Sequence, residues 1–184
     1  ILQLQKVAKP ALLRSLFFSA VSHPAEIVSY NKLMGELYEA GNASTLINYL
    51  QLLASAFLVQ GVKKYPSAPS RNTTPKIITL NNALVSACSP RSFSEARKDS
   101  RWWGRLVENL MGAHILSSLN STLYQVSYFR QKVRGKDLEV DFVIHRPNQL
   151  WGIEVSTSKV HSLKGLEYFS SRHTGVKPVY IGAD

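Results

Sequence analysis

One short run constrains this chain more than any other. In Leu138-Glu139-Val140-Asp141-Phe142-Val143-Ile144, acidic and apolar residues alternate among strong strand formers. As a strand, it would set Glu139, Asp141 and Val143 on one face and Val140, Phe142 and Ile144 on the other. A carboxylate in mid-strand is costly to bury without a partner. The next run repeats the pattern: Trp151, Ile153 and Val155 share one face, and Gly152, Glu154 and Ser156 the other. Arg146-Pro147-Asn148 between them is turn-forming. A hairpin there would lay Asp141 beside Glu154, where the two repel unless a cation lies between them. Mg²⁺ suits two carboxylates, since it keeps most of its waters, and it can activate water against a phosphodiester. An ordinary edge strand whose acids pair with Arg130, Lys132 or Lys159 accounts for the same residues.

Composition narrows the class. Hydrophobic residues make up 45% of the 184 and charged residues 18%, enough to bury a core and too apolar for a disordered chain. One cysteine, Cys88, excludes a disulfide framework and a zinc site of several thiolates. No apolar run is long enough to cross a membrane. The chain begins at Ile1 without a signal sequence and reads as a piece of a longer intracellular, cytoplasmic protein. A net charge of +10 suggests an anionic partner.

Two segments flank a polar stretch. In residues 1–66, Leu12, Leu13, Leu16, Phe17 and Ala20 repeat at helical spacing behind Pro10. A second helix is expected over about Ser29 to Glu39, with Leu33, Met34 and Leu37 inward. Gly41 stops it, and Asn42 caps a third helix carrying Leu46, Ile47, Leu50 and Leu53. An apolar segment, Phe57 to Val62, follows. This is the order of a winged helix-turn-helix. Residues 67–99 read as a linker and irregular segment, polar and mobile from Ser86 to Ser100. Lys76 to Leu80 within it reads as a short strand or turn. Residues 100–184 read as a helix to about Asn120, and strands over Leu123–Gln131, Leu138–His145 and Gln149–Val155. A helix over Ser162–Arg172 and a last strand at Pro178–Ile181 follow. The expected class is α+β, a mixed sheet flanked by helices.

Asp141 and Glu154-Val155-Ser156, with twelve residues between the acids, resemble the Asp…Glu-x-Lys signature of the PD-(D/E)xK nuclease fold. Gly104-Arg105-Leu106-Val107-Glu108-Asn109, Ser127-Tyr128-Phe129-Arg130 and Leu138 to Ile144 together resemble a more specific module. It is the C-terminal domain of unknown function that follows the ATPase domain in a family of prokaryotic AAA-plus ATPases. Lys76 to Leu84 is similar to that family's Lys-x-x-x-x-Asp-x-x-Leu segment, with Asn81 at the aspartate. The resemblance implies a winged helix followed by a restriction-endonuclease-like αβββαβ domain. It also implies a catalytic set of Glu108, Asp141 and Glu154, with Mg²⁺ on Asp141 and Glu154. Ser156 stands where the signature has lysine, so Lys159 becomes the substitute cation and nuclease activity is expected to be weak or absent. Glu108 has a second reading, a solvated glutamate paired with Arg101 or Arg105.

No Gly-x-x-x-x-Gly-Lys-Ser/Thr loop occurs in the 184 residues, so this stretch is not expected to hydrolyse ATP; the resemblance implies an ATPase domain that is missing here. The five histidines show no metal-ligand spacing. Between Leu33 and Val62 there is no Lys or Arg, a poor footprint for a DNA-reading helix. Residues 1–66 hold 6 Lys and Arg against 3 Asp and Glu, and residues 67–184 hold 16 against 9. The excess clusters at Arg91–Arg105 and Arg130–Lys136. Nucleic acid is therefore an expected partner of the second segment. The missing ATPase domain and further copies of the chain are the other expected partners, through a docking or oligomerisation role. An active Mg²⁺-dependent nuclease is the alternative.

Overall fold

The structure, a computed structural model, describes residues 7–38, 41–66, 74–158 and 162–182. Three helices come first: α1 (Pro10–Val21), α2 (Tyr30–Gly35) and α3 (Ala43–Ser55). Pro10 opens α1, and Leu12, Leu16 and Ala20 are buried at the expected spacing. The Ser29 hydroxyl accepts from the Lys32 amide at 3.1 Å and starts α2, which is shorter than expected. Asn42 caps α3 by accepting from the Thr45 amide at 3.0 Å.

Strand β1 (Val59–Lys64) begins later than the apolar run suggested, because Phe57 takes a left-handed φ of 56° in the turn. It pairs antiparallel with β2 (Lys76–Thr79), in the place expected for the wing. The wing does not stand free. Lys63 and Lys64 pair parallel with Ser127 and Tyr128 of β3 (Gln125–Val133), so one sheet runs through both segments. Its six strands are ordered β2-β1-β3-β4-β5-β6, with β4 at Lys136–Arg146, β5 at Gln149–Ser156 and β6 at Val176–Gly182. The β3–β4 and β4–β5 pairs are antiparallel. The β5–β6 pair is parallel across α7 (Lys164–Arg172). The α+β class, the mixed sheet and the αβββαβ order are as expected.

Residues 82–98 differ from the irregular, mobile reading. They form α4 (Asn82–Cys88) and α5 (Phe93–Lys98), while residues 67–73 lie outside the described residues. Each helix buries one residue, Val85 or Ala96, too few for an apolar period. Local capping starts them instead. The Asn81 carboxamide accepts from the Ala83 amide at 2.8 Å. Ser92 and Glu95 form a capping box.

Helix α6 (Ser100–Ser118) crosses one face of the sheet and α7 the other. On the α6 side Ala113 packs with Ile78, Phe142, Ile153 and Val155. On the α7 side Leu166 and Phe169 pack with Phe129, Val140 and Val143. Asn109 ties α6 to the wing. Its Oδ1 accepts from the Thr79 amide at 2.9 Å, and its Nδ2 donates to the Thr79 carbonyl at 2.8 Å and to Asn82 Oδ1 at 2.6 Å. Asn109→Ala is expected to cost about 2–3 kcal/mol in chemical denaturation, since it strands buried backbone groups of β2.

Candidate functional site

The strict alternation expected of β4 fails at one place. Ser127 pairs with Val143 but Phe129 with Val140, so Tyr128 alone faces both Asp141 and Phe142. This is a β-bulge on β4, which re-aims a side chain without ending the strand. Val140 and Val143 therefore both join the α7-side core, while Phe142 joins the α6 side. Asp141 goes with Phe142, not with Val143.

The bulge brings Asp141 to a lysine that belongs to the wing. Lys76, on β2, is wholly buried. Its Nζ lies 2.5 Å from Glu108 Oε1, 3.1 Å from Glu139 Oε1 and 3.4 Å from Asp141 Oδ1. It also donates to the Asp141 backbone carbonyl at 3.2 Å and stands 5.3 Å over the Phe142 ring. The other Asp141 oxygen, Oδ2, accepts from the Val155 amide at 2.9 Å, which ties β4 to β5 through a side chain. Carboxylate oxygens of Glu108, Glu139 and Asp141 lie within 4.8 Å of one another, close enough to ligate one metal ion. The cation they share is the Lys76 ammonium.

Glu154 occupies the next strand. Phe142 pairs with Ile153 at the bulge, one residue before Glu154, and the Val155 amide beyond it is held by Asp141 Oδ2. Ile153 and Val155 pack on the α6 side, so Glu154 alternates with them. Its carboxyl is pushed up to about 8 by burial first and then by the Asp141 charge, against the pull of Lys76. Burial also raises Glu108, with Asp141 adding to it, although Lys76 pulls the other way. Lys76 itself is raised: burial alone would lower it, and Glu108, Asp141 and Glu139 outweigh that.

Glu108 thus turns toward the sheet and Lys76, not toward solvent. The arginine once paired with it in sequence, Arg105, instead bridges to Glu26. Of the expected edge-strand partners of the acids, Arg130 pairs across the ladder with Glu139 but gives its salt bridge to Asp137 at 2.8 Å. Lys159, the substitute cation, lies outside the described residues. Ser156 takes part in a local turn, its hydroxyl accepting from the Ser158 amide at 3.1 Å. The set brought together is therefore Lys76, Glu108, Glu139 and Asp141, with Glu154 on β5 close enough to feel the Asp141 charge. Lys76 and Glu139 were not in the expected set. Glu139 carried a signal, its strand parity with Asp141. Lys76 carried a weaker one, a charge opening the apolar run Ile77-Ile78.

An apolar groove of about 380 Å³ lies apart from these acids, between α4, α5 and α6, with Trp102 and Trp103 in its wall. The guanidinium of Arg91 stacks 4.5 Å over Trp102, and that of Arg97 stacks 4.9 Å over Trp103. Among the described residues, no helix is long and apolar enough to cross a membrane.

No curated protein and no solved structure matches the chain. Two family models do. Residues 103–181, which carry Glu108, Glu139, Asp141 and Glu154, match a domain of unknown function, DUF4143. Residues 1–95, which carry α1 to α3, the β1–β2 pair and Lys76, match a second domain of unknown function, DUF8612. The cluster is thus assembled from both matched segments, and over more than half of its length the chain belongs to the DUF8612 family.

Proposed function

We propose that this chain is the C-terminal, nucleic-acid-engaging part of an AAA-plus ATPase. Its nuclease-like site has the metal position filled by an internal cation, and the module holds nucleic acid without cutting it. One observation carries this reading: the Lys76 ammonium lies between 2.5 and 3.4 Å from the oxygens of three carboxylates. Mg²⁺ would need those oxygens at about 2.1 Å and space for its own waters. It does not fit while Lys76 is in place. Lys76 is fully buried, so its nitrogen does not meet the water that a nuclease lysine would orient. Ser156 supports the same reading, since it brings no cation to the site.

The test is incubation of the purified chain with single- and double-stranded DNA and RNA in Mg²⁺ or Mn²⁺, beside Asp141→Ala. The expected result is no cutting above the variant's background, together with binding that weakens steeply as salt rises. Cutting by the wild type that Asp141→Ala abolishes would overturn the proposal and make Lys76 the signature lysine, moved to another strand.

A further inference from the structure

We infer that the open groove between the tip of the β3–β4 hairpin and α7 seats a phosphodiester backbone. The inference rests on the nucleic-acid reading above and names where the contact is made. The groove has a volume of about 560 Å³. Arg134 and Lys136 line it from the hairpin, and Lys164 and Tyr168 from α7; Glu167 is its one carboxylate. The three cations are exposed. Among the described residues none of them forms an ion pair. The nearest acid on the hairpin, Asp137, is already taken by Arg130 at 2.8 Å. Leu138, Val133 and Tyr168 give the groove apolar walls, which focus the field of the cations above them. Lys132 and Arg172, both exposed, continue the positive charge along the same two elements.

The turn itself is a second observation. Val133 pairs with Lys136, leaving Arg134 and Gly135 as a two-residue turn with φ of 48° and 81°. Asparagine or glycine is the usual first residue of such a turn, and another L-residue there is strained because its Cβ crowds the following carbonyl oxygen. That strain holds a guanidinium at the tip of the hairpin, a pattern found where backbone geometry serves a function. The arrangement suits a polymer better than a free anion. A lone phosphate is held by converging buried donors, whereas these cations are exposed and spread over two elements.

Binding of labelled single-stranded and duplex oligonucleotides would be followed by fluorescence anisotropy across a salt series. Arg134→Ala/Lys136→Ala/Lys164→Ala is compared with Arg91→Ala/Arg97→Ala/Lys98→Ala, which removes the same charge from α5 and its approach. The groove variant is expected to bind about 10-fold or more weakly, with a salt slope lower by roughly 2, and the α5 variant to stay near wild type. Both change exposed side chains, and melting curves check that both are folded. Equal losses in the two variants would overturn the groove while leaving the nucleic-acid reading intact. No binding by the wild type at low salt would overturn both. Binding to phosphatidylserine vesicles, with none to oligonucleotides, would overturn the inference in favour of a membrane surface.

Discussion

Exchanging Lys76 for methionine is expected to destabilise the fold by about 3–5 kcal/mol at pH 7, read by urea denaturation. Methionine matches the lysine stem in length and leaves little cavity, so the loss is electrostatic. Glu108, Glu139 and Asp141 would keep their positions around Nζ with no charge to meet them. The effect has a sign in pH. Glu154, and Glu108 in the same direction, have folded-state pKa values above the unfolded carboxylate value of 4.5. The stability they contribute is full below about 4.5 and is lost as pH rises through the folded value, about 8 for Glu154. Lys76 is also raised, so its contribution is full below the ordinary lysine value and is lost only above it. The contribution of Glu108 and Glu154 should therefore be larger at pH 5 than at pH 8, opposed by His145 and His173, which burial lowers and which lose stability as they protonate; the deficit of Lys76→Met should shrink on acidification as the stranded acids take up protons. Mn²⁺ should raise the denaturation midpoint of Lys76→Met and not that of wild type, since only the variant leaves the carboxylates open to a metal. A loss below about 1 kcal/mol, the size of an ordinary point substitution, would show that the buried ammonium does not hold the cluster together.

Gly165→Ala should cost about 3 kcal/mol or more, at the upper end of overpacking substitutions. Gly165 lies in the first turn of α7 where the helix meets β4. An added Cβ would overlap the Glu139 carbonyl oxygen and stand 2.8 Å from its carbon and 3.0 Å from its nitrogen. These are backbone atoms and cannot rotate aside. Either α7 lifts, which opens the packing of Leu166 and Phe169, or β4 shifts at Glu139, one of the three carboxylates on Lys76. Gly135→Ala is the comparison. It sits at a φ of 81° with nothing near its missing Cβ, and should lose only about 1 kcal/mol from backbone strain. If the two variants melt alike, close helix–strand contact is not what Gly165 provides.

Much of this fold was legible locally. The period-two runs at 138–144 and 149–155 locate β4 and β5, and Pro147-Asn148 joins them, because alternation and turn chemistry are read from neighbouring residues. The same local logic also finds α3, whose Asn42 cap and Leu46, Leu50 and Leu53 spacing need no tertiary partner to recognise. Where local signals were thin, the reading was coarser: α4 and α5 are set by caps on one or two turns, with a single buried residue each.

The identity of the cation was not legible. Lys76 is 32 residues from Glu108 and 65 from Asp141, and it reaches them only because β1, the strand partner of β2, also pairs with β3. The bulge at Asp141–Phe142 is a property of the β3–β4 register, and alternation within one strand cannot reveal it. By itself, the sequence determined the run of strands from β3 to β6 and which acids β4 and β5 carry, since periodicity and turns act over a few residues. The tertiary structure alone decided that a wing lysine neutralises those acids, since burial makes each carboxylate demand a counter-charge from whichever strand the sheet brings within reach.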